Sequence, residues 1–590
     1  MEIKKSFWKQ KWTLPGINWN ITGYSRAAYR TGFYIKELDM MLDAGPQCFS
    51  KPSHIMITHT HGDHIANLPF TLIGPEDGKH MFHIYAPAEC EKYLRGYITA
   101  LFETNLSMDL NGLPDQWYKF YPMVSNTTFE IIANNNPYKI EVFSCDHSVP
   151  TVSYGISTIK QKLKDEYKGI PGKEIAALRK SGVEITAKVI TPTLAYVCDT
   201  NYRALEMNPT LFNYKIIIIE CTFLCDNSIE RAEGTKHIHW NNLKPYIEAH
   251  PEITFMLIHF SLQYKDSEIN DFFEKINLPN IKIWNPPKDE ENETCEEIID
   301  VRKSFWGQKW TLPGTNWNIT GYSRAAYRTG FYIQDLDLML DAGPDCCTNP
   351  SHIMVTHTHG DHIANLPLTL IDCKDRNCLL NIYAPIESKK QLMKYINSLF
   401  EANHNTDIEI VEDKWYKYNS MVSGMIFDTV LNNNPYQIEI FNCDHSVPTV
   451  SYGISTIKQK LKDEYKGVPG KDIAQLRKSG TEVTVKIVTP TLAYVCDTSC
   501  KALATNPTLF DYKIIIVECT FLYPEHLQNA ADTKHIHWNE LKPYVESHPE
   551  ITFMLIHFSM QYKDMEIDEF FKGIELPNIK VWNSYAYDKE

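Results

Sequence analysis

The sequence lacks any apolar run long enough to cross a membrane. Its longest run of bulky aliphatic residues is Ile216–Ile219, and Glu220 follows at once, whereas a membrane-spanning helix needs roughly 20 apolar residues. The first twelve residues, MEIKKSFWKQKW, contain no apolar segment of secretory length, so we expect no signal peptide. These absences predict a soluble intracellular protein of the cytoplasm or nucleus with no membrane partner.

The sequence also lacks an excess of basic charge. Lys and Arg number 58 against 73 Asp and Glu, for a net charge of −15, and general-purpose nucleic-acid binding needs clustered Lys and Arg. Two stretches depart from this average. Lys160–Gly182 and Lys458–Gly480 each contain seven bases and three acids, so local patches matter more than the total.

The remaining composition is that of an ordinary globular protein. Apolar residues make up 43% and charged residues 22% of the 590 positions, which excludes disordered, collagen-like and coiled-coil chains. Fifteen cysteines, an odd number in a chain without a secretion signal, predict mostly reduced thiols. The length is too great for one ordinary domain.

The chain is a tandem duplication. Lys5–Pro46 and Lys303–Pro344 are identical at 37 of 42 positions, and the offset of 298 residues persists at later landmarks such as Trp117 and Trp415. Each copy is long enough to bury its own core. We therefore predict a first domain over residues 1–285, an acidic linker over 286–302 and a second domain over 303–590.

Within each copy, short β-rich runs alternate with segments of helical spacing, which predicts layered α/β domains. Phe33–Leu42 reads as a strand that enters a turn, and Glu91–Leu106 reads as a helix. Polar and ionisable residues follow the strands, so we expect the chemistry to lie at strand ends.

The strongest motif is Thr58–His64, which reads THTHGDH and recurs unchanged at Thr356–His362. Two histidines two positions apart point the same way on an extended segment, and Gly62 allows a sharp turn into a helix. Nitrogen ligands combined with a carboxylate suit Zn²⁺. The alternative, a polar surface loop, is disfavoured because four potential ligands fall within six residues.

Further candidates follow later strands in both copies. Each one alone has a structural alternative, such as a core histidine or a capping aspartate. Their weight comes from their order behind the HxHxDH motif. The first-copy segments are DHSVP at 146–150, CDT at 198–200, ECTF at 220–223, KHIHW at 236–240 and HFS at 259–261.

This order of motifs resembles the metallo-β-lactamase superfamily and, within it, the ribonuclease Z family of tRNA 3′-processing endonucleases. The basic stretches resemble the arms of its short-armed forms. The resemblance covers nearly all of both copies and implies two αββα sandwiches, each with a dinuclear zinc site, for four Zn²⁺ per chain. The family usually has Gly before its bridging Asp, where this chain has Cys198 and Cys496.

The resemblance also implies which residues bind the metals. In the first copy, one ion would be held by His59, His61 and His147, and the other by Asp63, His64 and His259, with Asp199 as the bridge. In the second copy, the corresponding ligands would be His357, His359 and His445, then Asp361, His362 and His557, with Asp497 as the bridge.

The resemblance further implies the catalytic groups. Asp63 would orient or deprotonate the attacking water, and His237, oriented by Glu220, would protonate the leaving 3′ oxygen. Asp361, His535 and Glu518 would repeat these roles in the second copy. His237 has two alternatives, namely that it is a surface histidine on a mobile loop or that the neighbouring His239 takes its role.

Relatives of this family commonly act as homodimers in which one subunit grips tRNA and the other cuts it. A tethered duplication can build this arrangement within one chain, because tethering raises the effective concentration to around the millimolar range. Lys160–Gly182 would then serve the second site and Lys458–Gly480 the first. Two independent domains, and solvated helices in place of arms, are the alternatives. Further oligomerisation is left open.

The function implied is zinc-dependent removal of 3′ trailers from precursor tRNA, which leaves a 3′-hydroxyl on the tRNA. One alternative is another metal-dependent phosphodiesterase or a small-ester hydrolase, because one fold hosts many chemistries. A second alternative is a non-catalytic RNA-binding or scaffold protein. That alternative predicts broken ligand sets, and neither copy has one.

Overall fold

Two seven-stranded sheets build each half of the chain. The computed structural model describes residues 7–73, 80–110, 117–285, 305–345, 349–375, 378–408, 410 and 412–583. The predicted linker, residues 286–302, lies outside the described residues. The first copy is therefore described up to residue 285 and the second from residue 305.

In the first copy, the first sheet has the order β1 to β7, antiparallel up to β4 and parallel from there on. Its strands are β1 (Lys11–Thr13), β2 (Asn20–Arg26), β3 (Arg30–Ile35), β4 (Met40–Leu42), β5 (His54–Met56), β6 (Phe82–Pro87) and β7 (Tyr118–Met123).

The second sheet has the order β14 to β8, antiparallel from β8 to β11 and parallel from β11 to β14. Its strands are β8 (Thr128–Ala133), β9 (Asn136–Ser144), β10 (Val152–Leu163), β11 (Thr186–Val197), β12 (Ile216–Glu220), β13 (Thr254–Ile258) and β14 (Ile281–Ile283).

The second copy repeats both sheets in the same order. Its strands are β15 (Lys309–Thr311), β16 (Asn318–Arg324), β17 (Arg328–Ile333), β18 (Leu338–Leu340), β19 (His352–Met354), β20 (Leu380–Pro385), β21 (Tyr416–Met421), β22 (Ile426–Leu431), β23 (Asn434–Asn442), β24 (Val450–Leu461), β25 (Thr484–Val495), β26 (Ile514–Glu518), β27 (Thr552–Ile556) and β28 (Ile579–Val581).

The α-helices also repeat between the copies. Those of the first copy are α1 (Gly62–Ile65), α2 (Leu68–Leu72), α3 (Glu91–Leu106), α4 (Gly172–Lys180), α5 (Arg203–Met207), α6 (Ile229–Thr235), α7 (Trp240–Ala249) and α8 (Asp266–Glu274). Those of the second copy are α9 (Gly360–Ile363), α10 (Leu366–Asp375), α11 (Lys389–His404), α12 (Gly470–Lys478), α13 (Lys501–Thr505), α14 (Leu527–Thr533), α15 (Trp538–Ser547) and α16 (Asp564–Lys572).

Each copy is a four-layer αββα sandwich. The two sheets of the first copy face each other across one core, in which Phe33 from the first sheet packs against Tyr196 from the second. A second core lies between the outer face of the second sheet and its helices, with Ile217 and Leu243 among its buried members. This arrangement confirms the predicted fold class, and the strands are hydrophobic because both faces are covered.

The helices that cover the first sheets belong to one core shared by both copies. Leu94 and Leu101 of α3 and Leu392 of α11 are buried in this same cluster. At its centre the rings of Tyr97 and Tyr395 stack with centroids 5.7 Å apart. The two copies therefore pair within one chain, as the tethering argument predicts.

One strand prediction is wrong, one helix prediction is confirmed, and the expectation for the cysteines needs refinement. The single strand predicted over Phe33–Leu42 is two antiparallel strands, β3 and β4, because Asp39 takes a left-handed φ of 45° that reverses the chain. The helix over Glu91–Leu106 has the expected bounds. Cys373 and Cys378 form a disulfide, while ten other described cysteines are free, so mostly reduced thiols remain the rule.

No helix within the described ranges is long and apolar enough to cross a membrane.

Candidate metal centre

The candidate ligands of each copy meet at one edge of the sandwich, where they follow the carboxyl ends of strands from both sheets. Parallel strands bring their carboxyl ends to the same edge of a sheet, where open α/β sheets bind ligands. The contributing segments of the first copy are the loop after β5 with the start of α1, and the loops after β9, β11 and β13.

The first cluster groups three imidazoles with one carboxylate. Nδ1 of His61 lies 3.2 Å from Nε2 of His59 and 3.2 Å from Nε2 of His147. Oδ2 of Asp199 lies 3.6 Å from His59 Nε2 and 4.0 Å from His147 Nε2. One potential ligand atom from each of these four residues falls within 4.8 Å of the others, which is close enough for all four to reach one ion.

The second cluster shares Asp199 with the first. His64 Nε2 lies 3.4 Å from Asp199 Oδ2 and 3.5 Å from Asp63 Oδ2. His259 Nε2 lies 3.3 Å from Asp63 Oδ2, and its Nδ1 lies 3.3 Å from Asp199 Oδ1. Asp199 therefore stands between the two groups, where a bridging ligand would have to be.

The second copy repeats this arrangement. Asp497 Oδ2 lies 3.6 Å from His357 Nε2, 4.0 Å from His445 Nε2 and 3.4 Å from His362 Nε2. His557 Nε2 lies 3.5 Å from Asp361 Oδ2, and His359 Nδ1 lies 3.1 Å from the Nε2 atoms of His357 and His445. The structure thus brings all fourteen predicted ligands into two sets of seven.

The chemistry of these residues fits a metal pair. His64 Nε2 is buried and has no hydrogen-bond partner among the described residues, although it faces two carboxylates. Burial lowers the pKa of His59 well below its ordinary value and that of His61 to about 3. Both imidazoles are therefore neutral at neutral pH, the form in which histidine binds a metal.

His237 lies beside the centre, and Glu220 holds it there. Its Nδ1 is 3.1 Å from both carboxylate oxygens of Glu220, and its ring stacks on His259 at 5.5 Å between centroids. Burial would lower the pKa of His237, but the Glu220 carboxylate, together with Asp199 and Asp63, more than offsets burial, and the pKa is raised to about 9. His535 and Glu518 repeat this pair at 3.1 Å, again with a pKa of about 9 for the histidine.

His239 is occupied elsewhere. Its Nδ1 accepts a hydrogen bond from the Asn241 N–H at the start of α7, and its Nε2 lies 2.9 Å from the carbonyl oxygen of Cys225. The side chain is fully buried as the N-cap of that helix, a role that satisfies an N–H group with no partner inside the helix. Between the two histidines of KHIHW, only His237 faces the centre.

The chain is similar in sequence to named plant proteins. Over 267 residues, 44% of this chain and 91% of that protein, the chain is 30% identical to tRNase Z TRZ1 of Arabidopsis thaliana. Over 172 residues, 29% of this chain and 92% of that protein, it is 31% identical to nuclear ribonuclease Z of Triticum aestivum. The chain belongs to the ribonuclease Z family. The predicted resemblance is therefore confirmed, although no family model matches the chain.

A solved structure supports the fold of this chain. The long-form RNase Z from yeast matches 95% of this chain and 96% of its own with a TM-score of 0.55. At 11% sequence identity, this likeness shows the fold alone. It extends over both halves of the chain.

Sequence reasoning missed the residues that hold the candidate ligands in place. Asp43 follows β4, and its Oδ2 lies 2.9 Å from His64 Nδ1 and accepts from the Tyr196 hydroxyl at 2.8 Å. Thr58 donates its backbone N–H to the same carboxylate at 2.7 Å. A carboxylate on the second ring nitrogen fixes the orientation of a metal-binding histidine. The DAGP turn after β4, which begins with Asp43, was the only indication of this residue in the sequence.

Strained backbone and a thiol surround the bridging position. Asp199 has φ of 28° and His259 has φ of 61°, both in the left-handed region that non-glycine residues avoid. Cys198, where the family usually has Gly, is fully buried and donates its thiol to Asp199 Oδ1 at 3.2 Å. The departure from the family pattern therefore still leaves Asp199 at the centre.

The basic stretches form exposed arms. In the first copy, β10 and β11 extend in an antiparallel pair from Ile159–Ile190 to Leu163–Thr186, and the turn beyond them contains α4. None of the residues of α4 is buried, and the same holds for α12 in the second copy. A helix with no buried residue gains little stability from packing, so its surface is accessible to a partner.

Proposed function

We propose that this chain is a zinc-dependent endoribonuclease that removes 3′ trailers from tRNA precursors and leaves a 3′-hydroxyl on the tRNA. The observation that carries this proposal is the Glu220–His237 pair beside a seven-ligand cluster, repeated in the second copy. The pair would donate a proton to a poor leaving group, which a phosphodiester of RNA requires. The relatives named tRNase Z and ribonuclease Z support the same activity.

The proposed ligand assignment gives each copy two Zn²⁺ ions. In the first copy, His59, His61 and His147 would hold one ion, Asp63, His64 and His259 would hold the other, and Asp199 would bridge them. The second copy would use His357, His359, His445, Asp361, His362, His557 and Asp497 in the same way. Mixed nitrogen and oxygen donors support zinc over the all-oxygen sites typical of Mg²⁺ and Ca²⁺.

Two bound zinc ions would lower the pKa of water and offset charge on the attacking and leaving oxygens. The residues of the chain supply orientation and proton transfer. Asp63 would orient the attacking water on one side of the phosphorus atom. His237, whose pKa of about 9 keeps it protonated at neutral pH, would give its proton to the leaving 3′ oxygen on the other side, while Glu220 holds the ring in place.

The arms would hold the substrate. Lys160 and Lys162 are exposed along the first arm, and contacts between lysines and phosphates position a nucleic acid without reading its sequence. We propose that each arm serves the centre of the other copy, with Lys160–Gly182 serving the second centre and Lys458–Gly480 the first. Precursor tRNA would then bridge both copies. The cytoplasm or nucleus remains the predicted compartment.

The proposal is tested with purified protein and a tRNA that carries a 3′ trailer. Asp63→Ala with Asp361→Ala should abolish cleavage and leave RNA binding largely intact, because these carboxylates serve the centres while affinity comes from Lys and Arg. A simple phosphodiester assayed in parallel separates the tRNA nuclease from a general phosphodiesterase or small-ester hydrolase. Cleavage at the parent rate by the double variant would show that the centre is misassigned.

A further inference from the structure

Each metal-binding motif receives a hydrogen bond partner from the opposite copy. The Gly62 N–H, between the ligands His61 and Asp63, donates to Oδ1 of Asn403 in the second copy at 2.8 Å. In the reverse direction, the Gly360 N–H donates to Oδ1 of Asn105 in the first copy at 2.9 Å. The contact is reciprocal, so each centre depends on the other copy in the same way.

These N–H groups need a partner from outside their own helices. Gly62 is the first residue of α1, with His61 as its N-cap, and the His61 side chain makes no capping hydrogen bond. The first N–H groups of a helix have no intrahelical acceptor. Asn403 lies near the C-terminal end of α11, which packs in the core shared by the copies, so the pairing of the copies delivers the missing acceptor.

The opposite copy also contacts the motif sterically. A Cβ atom added at Gly62 would lie 2.9 Å from Cδ2 of Leu368, and one added at Gly360 would lie 2.7 Å from Cε1 of Phe70. Real Cβ atoms do not approach other atoms this closely. The glycine of each motif thus fits a surface that belongs to the other copy, which holds the turn between two ligands in place.

We propose that Asn403 and Asn105 are positioning residues that act across the interface, each fixing the backbone between two metal ligands of the opposite copy. The inference rests on the proposed function only in its ligand assignment. Partners outside the ligand shell commonly change metal affinity 10–100-fold when they are removed. Each centre would therefore reach its full zinc affinity only when the two copies are docked.

The test uses the full chain with one centre disabled. Asp361→Ala with His362→Ala removes two ligands of the second centre and leaves the first. In this background, Asn403→Leu removes the acceptor that faces the first centre at similar side-chain size. Asn397→Leu is the matched control, because Asn397 is half-buried earlier on the same helix and its Oδ1 has no partner among the described residues. Asn105→Leu is a second control, because Asn105 contacts the motif of the disabled second centre.

Zinc affinity is measured by competition with a chromophoric chelator, with cleavage of the trailer-bearing tRNA as a second readout. Asn403→Leu should weaken zinc binding by the first centre about tenfold, while Asn397→Leu and Asn105→Leu should leave it within about twofold. Asn403→Asp retains an accepting oxygen and should recover most of the loss. In the mirrored background, Asp63→Ala with His64→Ala, the effects of Asn105→Leu and Asn403→Leu should exchange.

Equal zinc affinity for Asn403→Leu and its control would overturn the positioning role. Equal losses of zinc affinity from Asn403→Leu and Asn105→Leu would overturn it too, because they would show a general weakening of the interface. Zinc missing from the background chain itself would overturn the ligand assignment and the positioning role with it. The background measurement therefore separates a failure of the proposed function from a failure of this inference alone.

Discussion

Arg30 of the first copy and Asp345 of the second form an ion pair across the interface, and both side chains are largely buried. The equivalent position on the other side of the pair of copies lacks this ion pair. There Arg328 Nη2 donates to Asn67 Oδ1 at 2.6 Å and, in the described part of the chain, has no salt bridge. Gln47 stands where the second copy has Asp345. The interface is therefore symmetric in shape but not in charge.

Removing or adding a carboxylate at this interface should change the free energy of unfolding. Asp345→Asn leaves the Arg30 guanidinium buried without its carboxylate and should cost about 3 kcal/mol of unfolding free energy. Burial already lowers the pKa of Arg328, so Gln47→Asp should stabilise the chain by giving this arginine a carboxylate.

The matched variant is the exchange Gln47→Asp with Asp345→Gln, which transfers the ion pair to the other side. The free energy of unfolding, measured with denaturant, should return to within about 1 kcal/mol of the parent value, because the exchanged chain again has one ion pair. The two substitutions should therefore not act additively. An exchanged chain as unstable as Asp345→Asn would show that the two sides of the interface are not equivalent.

Gently purified protein should contain about four zinc ions per chain, two in each copy. The reason is that each copy brings seven nitrogen and oxygen ligands together in two groups that share one carboxylate. Metal analysis after reconstitution provides the count. A value near zero, or near two with all metal in one half, would contradict two equivalent centres.

The loss of activity on removing His237 and His535 should depend on the leaving group of the substrate. His237→Ala with His535→Ala should lower tRNA cleavage by about 100-fold or more, the range typical of general acid catalysis. On a nitrophenyl phosphodiester the loss should be below about tenfold, because nitrophenolate leaves without a proton. Equal losses on both substrates would count against proton donation by His237.

The arms should act on the opposite centre. Neutralising Lys160, Lys162 and Lys164 together with Asp63→Ala leaves only the second centre active and removes the arm assigned to it, so trailer cleavage should fall severely. The matched control combines the same three substitutions with Asp361→Ala, which leaves the first centre and the arm of the second copy. The control should keep about half of the parent activity. The reverse result, about half of the activity in the first chain and a severe loss in the control, would show that each copy works alone.

Gly62→Ala should disturb the first centre through Leu368. The added methyl group meets Leu368 Cδ2 at 2.9 Å, and relieving such an overlap typically costs 1–3 kcal/mol. Zinc affinity of the first centre should fall several-fold, and Leu368→Ala in the same chain should restore it. Gly96→Ala is the control, because its Cβ would meet nothing within 4 Å. Failure of Leu368→Ala to rescue would place the cause within the first copy.

Much of the candidate site was predictable because its information is local. His59, His61 and His64 lie in one short motif behind a strand. The order of the later motifs carries the family resemblance, and this resemblance implied Asp199 and His259 as their partners. The carboxyl ends of neighbouring parallel strands meet at one edge, so residues that follow successive strands come together whatever the loops between them contain.

The choice between His237 and His239 was not predictable from the pattern, since both histidines lie two positions apart in one segment. In the fold, His239 is the N-cap of α7, whereas Glu220 at the end of β12 contacts His237, which supports His237 as the proposed proton donor. Asp43 was missed for a similar reason, since its partner His64 belongs to another element and no spacing rule connects them.

The sequence by itself determined the duplication, the layered α/β class, the family and the set of candidate ligands. Each of these depends on repeated segments, on residue order or on short motifs that are present in the chain before it folds. Only the tertiary structure decided how the copies complete each other. Gly62 and Asn403 are 341 positions apart, and no periodicity or motif links residues whose contact exists only after two helices have packed in a shared core. Such a contact depends on the docking geometry of whole domains, which local sequence patterns do not encode.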